Sequence, residues 1–240
     1  MKKIIKVFVL SLASALFMNA LPVNAASPDK AYIVEAVGKD QVILSGDFAL
    51  SLNQFRRFCG TDYRLNCGDV VGITYSSIDP TFPAQFVNNK EFSVTYLGKA
   101  KDYYLDSIQK LTLSKKSDGR LTWTDVEGTE YAYQYHDFRT DGYQYTIDPV
   151  SFAVGDSALC AVDDKEVVTI VGFCGDANSD DTVDIMDVIK TNKHLLGAET
   201  LEGFGMLAAD CDGDGTITSN DSLLLLKTVL EISDSDDVIS

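Results

Sequence analysis

Two short acidic segments near the C-terminus carry the residues best suited to binding a metal ion. The segment DANSDDTVDIMD covers residues 176–187, and DCDGDGTITSND covers residues 210–221, which begins 34 positions later. In both, oxygen-bearing side chains stand at positions 1, 3, 5, 7, 9 and 12. A twelve-residue loop supplies these positions to Ca²⁺, which takes about six to eight oxygen ligands. The spacing therefore predicts two calcium ions bound to this part of the chain.

The predicted ligands fall at matching positions of the two segments. Position 7 contributes its backbone carbonyl, and position 9 often acts through a water molecule. The first site would use Asp176, Asn178, Asp180, Thr182, Asp184 and Asp187, and the second would use Asp210, Asp212, Asp214, Thr216, Thr218 and Asp221. One such match could be a solvated acidic turn. Two matches, each leading into an apolar helical segment, favour metal binding.

The first segment departs from this pattern at position 6, where glycine normally permits a sharp turn. That position holds Asp181, whereas the second segment has Gly215. A residue other than glycine must adopt a positive φ there, which Asp tolerates better than most residues but at some cost. We therefore expect the first site to bind calcium more weakly than the second.

The composition of the whole chain limits its partners. The chain has 240 residues, is 45% hydrophobic, and carries a formal net charge of −16 at pH 7. These proportions are typical of a folded protein. The negative charge argues against binding to nucleic acid or to anionic membranes and favours divalent cations.

The N-terminal sequence MKKIIKVFVLSLASALFMNALPVNAA has a basic head, a short apolar run and small residues at its end. This pattern is typical of a secretory signal peptide, which we place at residues 1–25. A membrane anchor is the alternative, but the apolar run is too short to span a bilayer. We expect a secreted, extracellular protein without membrane association after cleavage.

The rest of the chain divides into a β-rich region and a helical one. Short runs such as AYIVEAV and VVGITYSS are rich in β-branched and aromatic residues and alternate with turn signals. A recurring Gly-Asp turn before a hydrophobic strand divides this region into a small β-barrel-like unit at 27–100 and a second β unit at 101–172. We expect one or two five-stranded barrels, which would resemble OB-like domains, or a single β-sandwich. An all-α domain would follow at 173–240.

Five cysteines allow several arrangements in an exported protein. Cys59 could pair with Cys67, and Cys174 with Cys211, which would leave Cys160 alone. All five could equally be reduced thiols. The sequence leaves this choice open.

Residues 173–233 resemble a dockerin of the cellulosomal type I kind. The resemblance rests on GDANSDD and AADCDGDG, which open the two repeats, on closing Asp residues, and on a single helix after each loop. It implies an all-α domain with two calcium loop-helix repeats. It also implies calcium-dependent binding to a cohesin module of a scaffoldin, which mounts secreted proteins on a cellulosome that degrades plant polysaccharides.

The resemblance also indicates which residues would contact the cohesin. In dockerins these are the two residues before the closing Asp and polar residues about one and a half turns later. They correspond here to Ile185, Met186, Asn192 and Lys193 in the first repeat, and to Ser219, Asn220, Leu226 and Lys227 in the second. Because the two sets differ, we expect a single binding orientation.

Ile185 and Met186 could instead be core residues of the helical domain. Against this alternative, the neighbouring apolar residues already offer an inward-facing stripe. That stripe would consist of Val188, Ile189, Leu195 and Leu196.

The β region contains no recognisable catalytic motif. Its only histidine is His136, with Asp137 beside it, and no G-x-S-x-G turn accompanies them. Two hypotheses remain: a noncatalytic module carried by the dockerin, or a small hydrolase (a glycoside hydrolase or an esterase).

Aromatic residues are concentrated in the second β unit. Tyr131, Tyr133 and Tyr135 alternate along one predicted strand and therefore share a face. Trp123 lies on the strand before, and the segment GYQYTI is predicted to form the strand after. These rings could stack on plant cell-wall polysaccharide, or they could form the core of a barrel.

Overall fold

The first part of the β region is a seven-stranded sheet. The computed structural model describes residues 30–62 and 64–230, so the expected signal peptide lies outside the described residues. The strands are β1 (Lys30–Val37), β2 (Gln41–Leu44), β3 (Phe48–Ser51), β4 (Asp69–Thr74), β5 (Ile78–Asp79), β6 (Ala84–Phe86) and β7 (Ser93–Lys99). Their order is β5-β6-β3-β2-β1-β4-β7, and β3 and β6 are the parallel pair.

A helix that the strand-like pattern did not predict follows β3. Ser51 caps the N-terminus of helix α1 (Leu52–Cys59). The Ser51 hydroxyl accepts a hydrogen bond from the backbone N–H of Asn53, and the Gln54 side chain accepts one from the Ser51 N–H. The S-x-x-Q spacing of this capping box was the signal in the sequence. Phe55 is fully buried and attaches the helix to the core of the sheet.

The second part of the β region is a closed barrel of five strands, which confirms the predicted small barrel for this part of the chain. Between the sheet and the barrel lies the short helix α2 (Ala100–Tyr103). The barrel strands are β8 (Ile108–Ser117), β9 (Arg120–Thr124), β10 (Glu130–Gln134), β11 (Ser157–Asp163) and β12 (Glu166–Phe173). They run in the order β10-β12-β11-β8-β9, with β10 and β12 parallel.

The segment GYQYTI at 142–147 is not a strand, contrary to the prediction. Its only β pairing in the described residues is a bridge between Gln144 and Val37. Tyr143 and Tyr145 instead pack beside Ala36 of the sheet. The segment therefore connects the barrel to the first sheet rather than extending the barrel.

The aromatic rings of the barrel point inward. Trp123, Tyr131 and Tyr133 are 0%, 7% and 5% exposed, and they pack in the barrel core with Phe152. Tyr135 is half-buried and stacks on Tyr133, with 6.3 Å between ring centroids. This corrects the sugar-stacking hypothesis, because rings that fill a core offer no surface to a polysaccharide.

In the described residues after β12 there are three helices, namely α3 (Ile185–Leu195), α4 (Phe204–Ala209) and α5 (Ser219–Val229). Helices α3 and α5 pack together, and the Ser222 hydroxyl donates to Asn192 Oδ1 at 2.9 Å across their contact. No helix among the described residues is long and apolar enough to cross a membrane.

Helix α4 attaches the C-terminal helices to the β region. Phe204 and Ala208 share one buried core with Ile33 of the sheet and Leu159 of the barrel. A Cβ atom on Gly172 would lie 2.3 Å from the Phe204 ring, so the ring occupies the space that a side chain on β12 would need. The three parts of the chain therefore have a common core.

All five cysteines are thiols in the structure. The Cys59 thiol donates to the carbonyl of Val94 and the Cys67 thiol to the carbonyl of Gln144, so the two do not close a loop. Burial raises the pKa of Cys174 to about 11 and that of Cys211 to about 12. Neither thiol is therefore activated as a nucleophile.

Replacing Trp123 by alanine should lower the free energy of unfolding by about 3–5 kcal/mol, since the substitution empties a fully buried site. Urea denaturation followed by far-UV circular dichroism would measure this loss. Phe82→Ala is the control, because Phe82 is 67% exposed, and it should change stability by less than about 0.5 kcal/mol. A comparably small loss for Trp123→Ala would contradict the core position of this ring.

Candidate metal centre

Backbone N–H groups fold both acidic segments around the carboxylate at position 1. Asp176 accepts hydrogen bonds from the N–H groups of Asp180 and Asp181, at 3.0 and 3.1 Å. Asp210 accepts equivalent bonds from the residues four and five positions further along, at 3.2 and 2.8 Å. Each segment is therefore a compact loop with its first predicted ligand at the centre.

The closing Asp residues also match between the two loops. Asp187 accepts from the N–H groups of Asn178 and Asp184, both at 2.9 Å, and Asp221 accepts from the equivalent positions at 3.1 and 2.8 Å. Both side chains are fully buried. Asp187 and Asp221 are also the third residues of α3 and α5, and each forms a capping box with the residue that precedes its helix. The last predicted ligand of each loop therefore fixes the start of the helix that follows.

The second loop brings three carboxylates together. One carboxylate oxygen from each of Asp210, Asp212 and Asp214 lies within 4.8 Å of the other two. Like charges at this separation repel unless a cation lies among them. An all-oxygen donor set of this kind suits Ca²⁺ better than Zn²⁺ or copper, which prefer nitrogen and sulfur.

The first loop has an amide where the second has a carboxylate. Asn178 stands at position 3, and its side-chain N–H donates to Asp180 at 2.9 Å.

Burial raises the pKa of Asp176 above its ordinary value, although N–H groups donate to this carboxylate. A dication bound here would reverse that effect by stabilising the charged form.

The backbone conformations of the two loops agree, while their residue types differ. Ser179 and Asp181 have φ angles of 66° and 68°, and the equivalent Gly213 and Gly215 have φ angles of 79° and 86°. The positive φ expected at Asp181 is therefore present, and position 4 has one as well. Only the second loop has glycine at both positions.

The predicted cohesin-contacting residues of α3 are on the surface. Ile185 and Met186 are 48% and 54% exposed, and Asn192 and Lys193 are exposed as well. In the second repeat Ser219 and Asn220 are exposed, whereas Leu226 and Lys227 are half-buried. The alternative in which Ile185 and Met186 belong to the core does not hold.

The inward-facing stripe of α3 differs from the predicted one. Val188 and Thr191 face inward, with 6% and 0% exposure, while Ile189, Leu195 and Leu196 are exposed. At the equivalent positions of α5, Leu223 and Leu230 are exposed as well. The surfaces of α3 and α5 therefore share apolar residues, and they differ at the first two helical positions and where Asn192 of α3 corresponds to Leu226 of α5.

Between the sheet and the barrel lies a cavity of about 90 Å³ that is lined in part by a half-buried acid. Its lining includes Glu35, Tyr133, Tyr145 and Lys99. Burial raises the pKa of Glu35 to about 8, and the charge of Asp47 adds to this, while a hydrogen bond with Tyr133 opposes it. The sequence analysis missed Glu35, although a lone acid in the apolar strand AYIVEAV was a signal.

His136 does not pair with the adjacent Asp137. Its Nδ1 lies 2.8 Å from Oδ1 of Asp47, and Asp137 is bound to Arg139 instead. The imidazole is more than half exposed, and the ring of Phe82 lies 5.0 Å away. His136 and Asp137 therefore do not form the His-Asp pair of a hydrolase triad.

Residues 174–230 match the family described as Dockerin type I domain. This match confirms the resemblance and includes both acidic loops and helices α3, α4 and α5. Neither the curated proteins nor the solved structures contain a significant match to this chain.

Removing one central carboxylate from one loop at a time should distinguish the two expected calcium sites. In titration calorimetry of the metal-free chain, Asp180→Ala and Asp214→Ala should each abolish one of two binding events. Asp214→Ala should lose more total binding free energy if the first site is the weaker. The control is Glu127→Gln, an exposed acid in a barrel turn, which should keep both events. A wild-type chain without calcium binding would contradict the metal assignment.

Proposed function

We propose, from the dockerin type I domain at residues 174–230, that this chain is a secreted cellulosome component that binds a cohesin module of a scaffoldin. The match of these residues to the dockerin family is the observation that carries this proposal. Dockerin domains occur in extracellular complexes of this kind, which agrees with the signal-like N-terminus.

Calcium binding by both loops is part of the proposal. The two loops share the same hydrogen-bond pattern at equivalent positions, and each opens a helix. Two ions would be held by the twelve predicted ligands. Their charge would offset the repulsion among the carboxylates and fix the relative positions of α3 and α5.

The exposed surface of α3 is the proposed cohesin-binding face. Ile185 and Met186 give it apolar residues that water does not favour, and Asn192 and Lys193 supply polar contacts. On α5 the equivalent first pair is Ser219 and Asn220. This difference supports a single orientation, although the shared Ile189 and Leu223 reduce the contrast between the two faces.

Changing the first pair on each helix would test the proposed face. Ile185→Asp with Met186→Asp should abolish binding to a type I cohesin, because charge replaces the apolar centre of the contact. Ser219→Asp with Asn220→Asp is the matched variant on α5 and should reduce affinity less than about threefold. Calorimetry with calcium present would measure both, and circular dichroism would verify folding. Equal losses from the two pairs would reject the single orientation.

For the β region we propose a noncatalytic module that the dockerin carries to plant cell-wall polysaccharide. Trp123, Tyr131 and Tyr133 lie in the barrel core, so sugar binding would require a ring on the surface. Phe82 is 67% exposed and lies beside His136 and Phe138. An exposed ring next to polar groups could stack on a sugar.

A small hydrolase is the second candidate, and the cavity at Glu35 favours it. A carboxyl with a pKa of about 8 is protonated at neutral pH, which is what a general acid requires. A glycosidase needs a second carboxylate at a set distance. Asp181 also lines this cavity, but it is bonded to Lys101.

Turnover and retention assays on the full chain would separate the two candidates. We expect no release of reducing sugar from plant wall and no hydrolysis of an aryl acetate. We expect Phe82→Ala to weaken retention on insoluble wall by about 1–3 kcal/mol, if stacking on a sugar resembles stacking on a base. Tyr103→Ala, at a ring 48% exposed elsewhere, is the control. Turnover that Glu35→Gln abolishes would establish the hydrolase instead.

A further inference from the structure

A lysine of the β region holds the first acidic loop. Lys101 lies on α2, and its ammonium donates to the backbone carbonyl of Ser179 at 2.9 Å and to Oδ1 of Asp181 at 3.0 Å. The same ammonium lies 5.0 Å from the ring centroid of Phe204. Lys101 therefore contacts both the loop and the helix that attaches the C-terminal helices to the β region.

The two residues that Lys101 binds are the two residues of the acidic loops that have a positive φ without being glycine. Ser179 and Asp181 stand at positions 4 and 6, with φ angles of 66° and 68°. Side chains disfavour this conformation because Cβ approaches the backbone. The second loop has Gly213 and Gly215 at these positions, and glycine adopts such angles readily.

Lys101 does not compete with an ion for ligands. Ser179 and Asp181 occupy even positions of the loop, whereas the predicted ligands up to position 9 occupy odd ones. The ammonium therefore makes its hydrogen bonds to residues that are not predicted ligands. Because Asp181 is a carboxylate, its charge also offsets that of the lysine near the site.

The position of Lys101 is itself fixed by the β region. The adjacent Ala100 is 2% exposed, and its N–H donates to the carbonyl of Gly68 at 2.7 Å. On the other side of Ala100, Lys99 forms an ion pair with the buried Asp69 at 2.6 Å. The Lys101 side chain is only 19% exposed, so solvent screens its contacts less than those of a surface lysine.

We infer that Lys101 is a positioning residue of the first calcium site, which supplies from the β region the loop geometry that two glycines give the second site. The inference rests on the calcium binding proposed above. It makes the β region a structural part of the first metal site, which depends on Lys101 for its loop geometry. The first site would then lose affinity whenever this contact is lost.

A lysine also contacts the second loop, but the geometry of that loop does not depend on this lysine. Lys110 of β8 donates to the carbonyl of Cys211, at position 2. The residues with positive φ in this loop are glycines that need no support. Removing Lys110 should therefore affect calcium binding less than removing Lys101.

Single-site backgrounds make the test specific. Asp214→Ala leaves only the first site, and Asp180→Ala leaves only the second. In the first background Lys101→Gln should weaken calcium binding roughly tenfold, the factor that corresponds to about 1.4 kcal/mol, and in the second by less than about twofold. Titration calorimetry of the full chain would measure both. Lys115→Gln is the control, a lysine of β8 that pairs with exposed Glu130.

Rescue distinguishes positioning from a general loss of structure. Adding Ser179→Gly and Asp181→Gly to Lys101→Gln should restore the affinity of the first site to within about twofold of the wild type, because glycine removes the strain that the lysine offsets. Lys101→Arg, which keeps the charge and the donors, should retain most of the affinity. Trp123 fluorescence would verify that the barrel remains folded.

Three results would overturn the inference. The first is calcium affinity at the first site that is unchanged or higher in Lys101→Gln, as simple charge repulsion predicts. The second is an equal loss of calcium affinity in both single-site backgrounds. The third is a failure of the two glycine substitutions to restore the affinity. A wild-type chain that binds no calcium would refute the proposed metal binding and this inference with it. A chain that binds two ions and is insensitive to Lys101→Gln would refute the inference alone.

Discussion

Repulsion among carboxylates in two small loops is the constraint on which residues 174–230 depend. Asp210, Asp212 and Asp214 each place one carboxylate oxygen within 4.8 Å of the other two. N–H groups and helix N-termini stabilise such charges in part, and a bound cation would stabilise them further. Since Asp187 and Asp221 are both predicted ligands and capping residues of α3 and α5, metal binding, the starts of the helices and the surface of α3 are physically linked.

The parts of this arrangement that lie close together in sequence could be predicted. All the ligands of one loop fall within twelve consecutive residues, so their spacing determines their geometry. The barrel strands were likewise visible as short β-branched and aromatic runs. Alternation places Tyr131 and Tyr133 on one face of a strand, but it does not say whether that face points to the core or to water. Only the closure of the barrel decided this.

Contacts between residues far apart in sequence could not be predicted. Lys101 and Asp181 are 80 positions apart, and Gln144 pairs with Val37 across 107 positions. The pKa of Glu35 is raised by burial and by the charge of Asp47, which lies twelve positions away. The inward face of α3 was misassigned at Ile189 for a related reason, since the position of α5 determines which apolar residues are covered. In each case the deciding neighbour belongs to another element.

The connection between β12 and the first loop gives the dockerin domain little freedom. Strand β12 ends at Phe173, and the first predicted ligand is Asp176, so no long linker separates them. Gly175 between them has a φ of 101°, and a Cβ there would lie 2.7 Å from Leu225 of α5. The chain therefore enters the loop through a conformation and a space that favour glycine. Together with Phe204 and Lys101, this connection ties the metal loops to the β region, so that the two act as one structure.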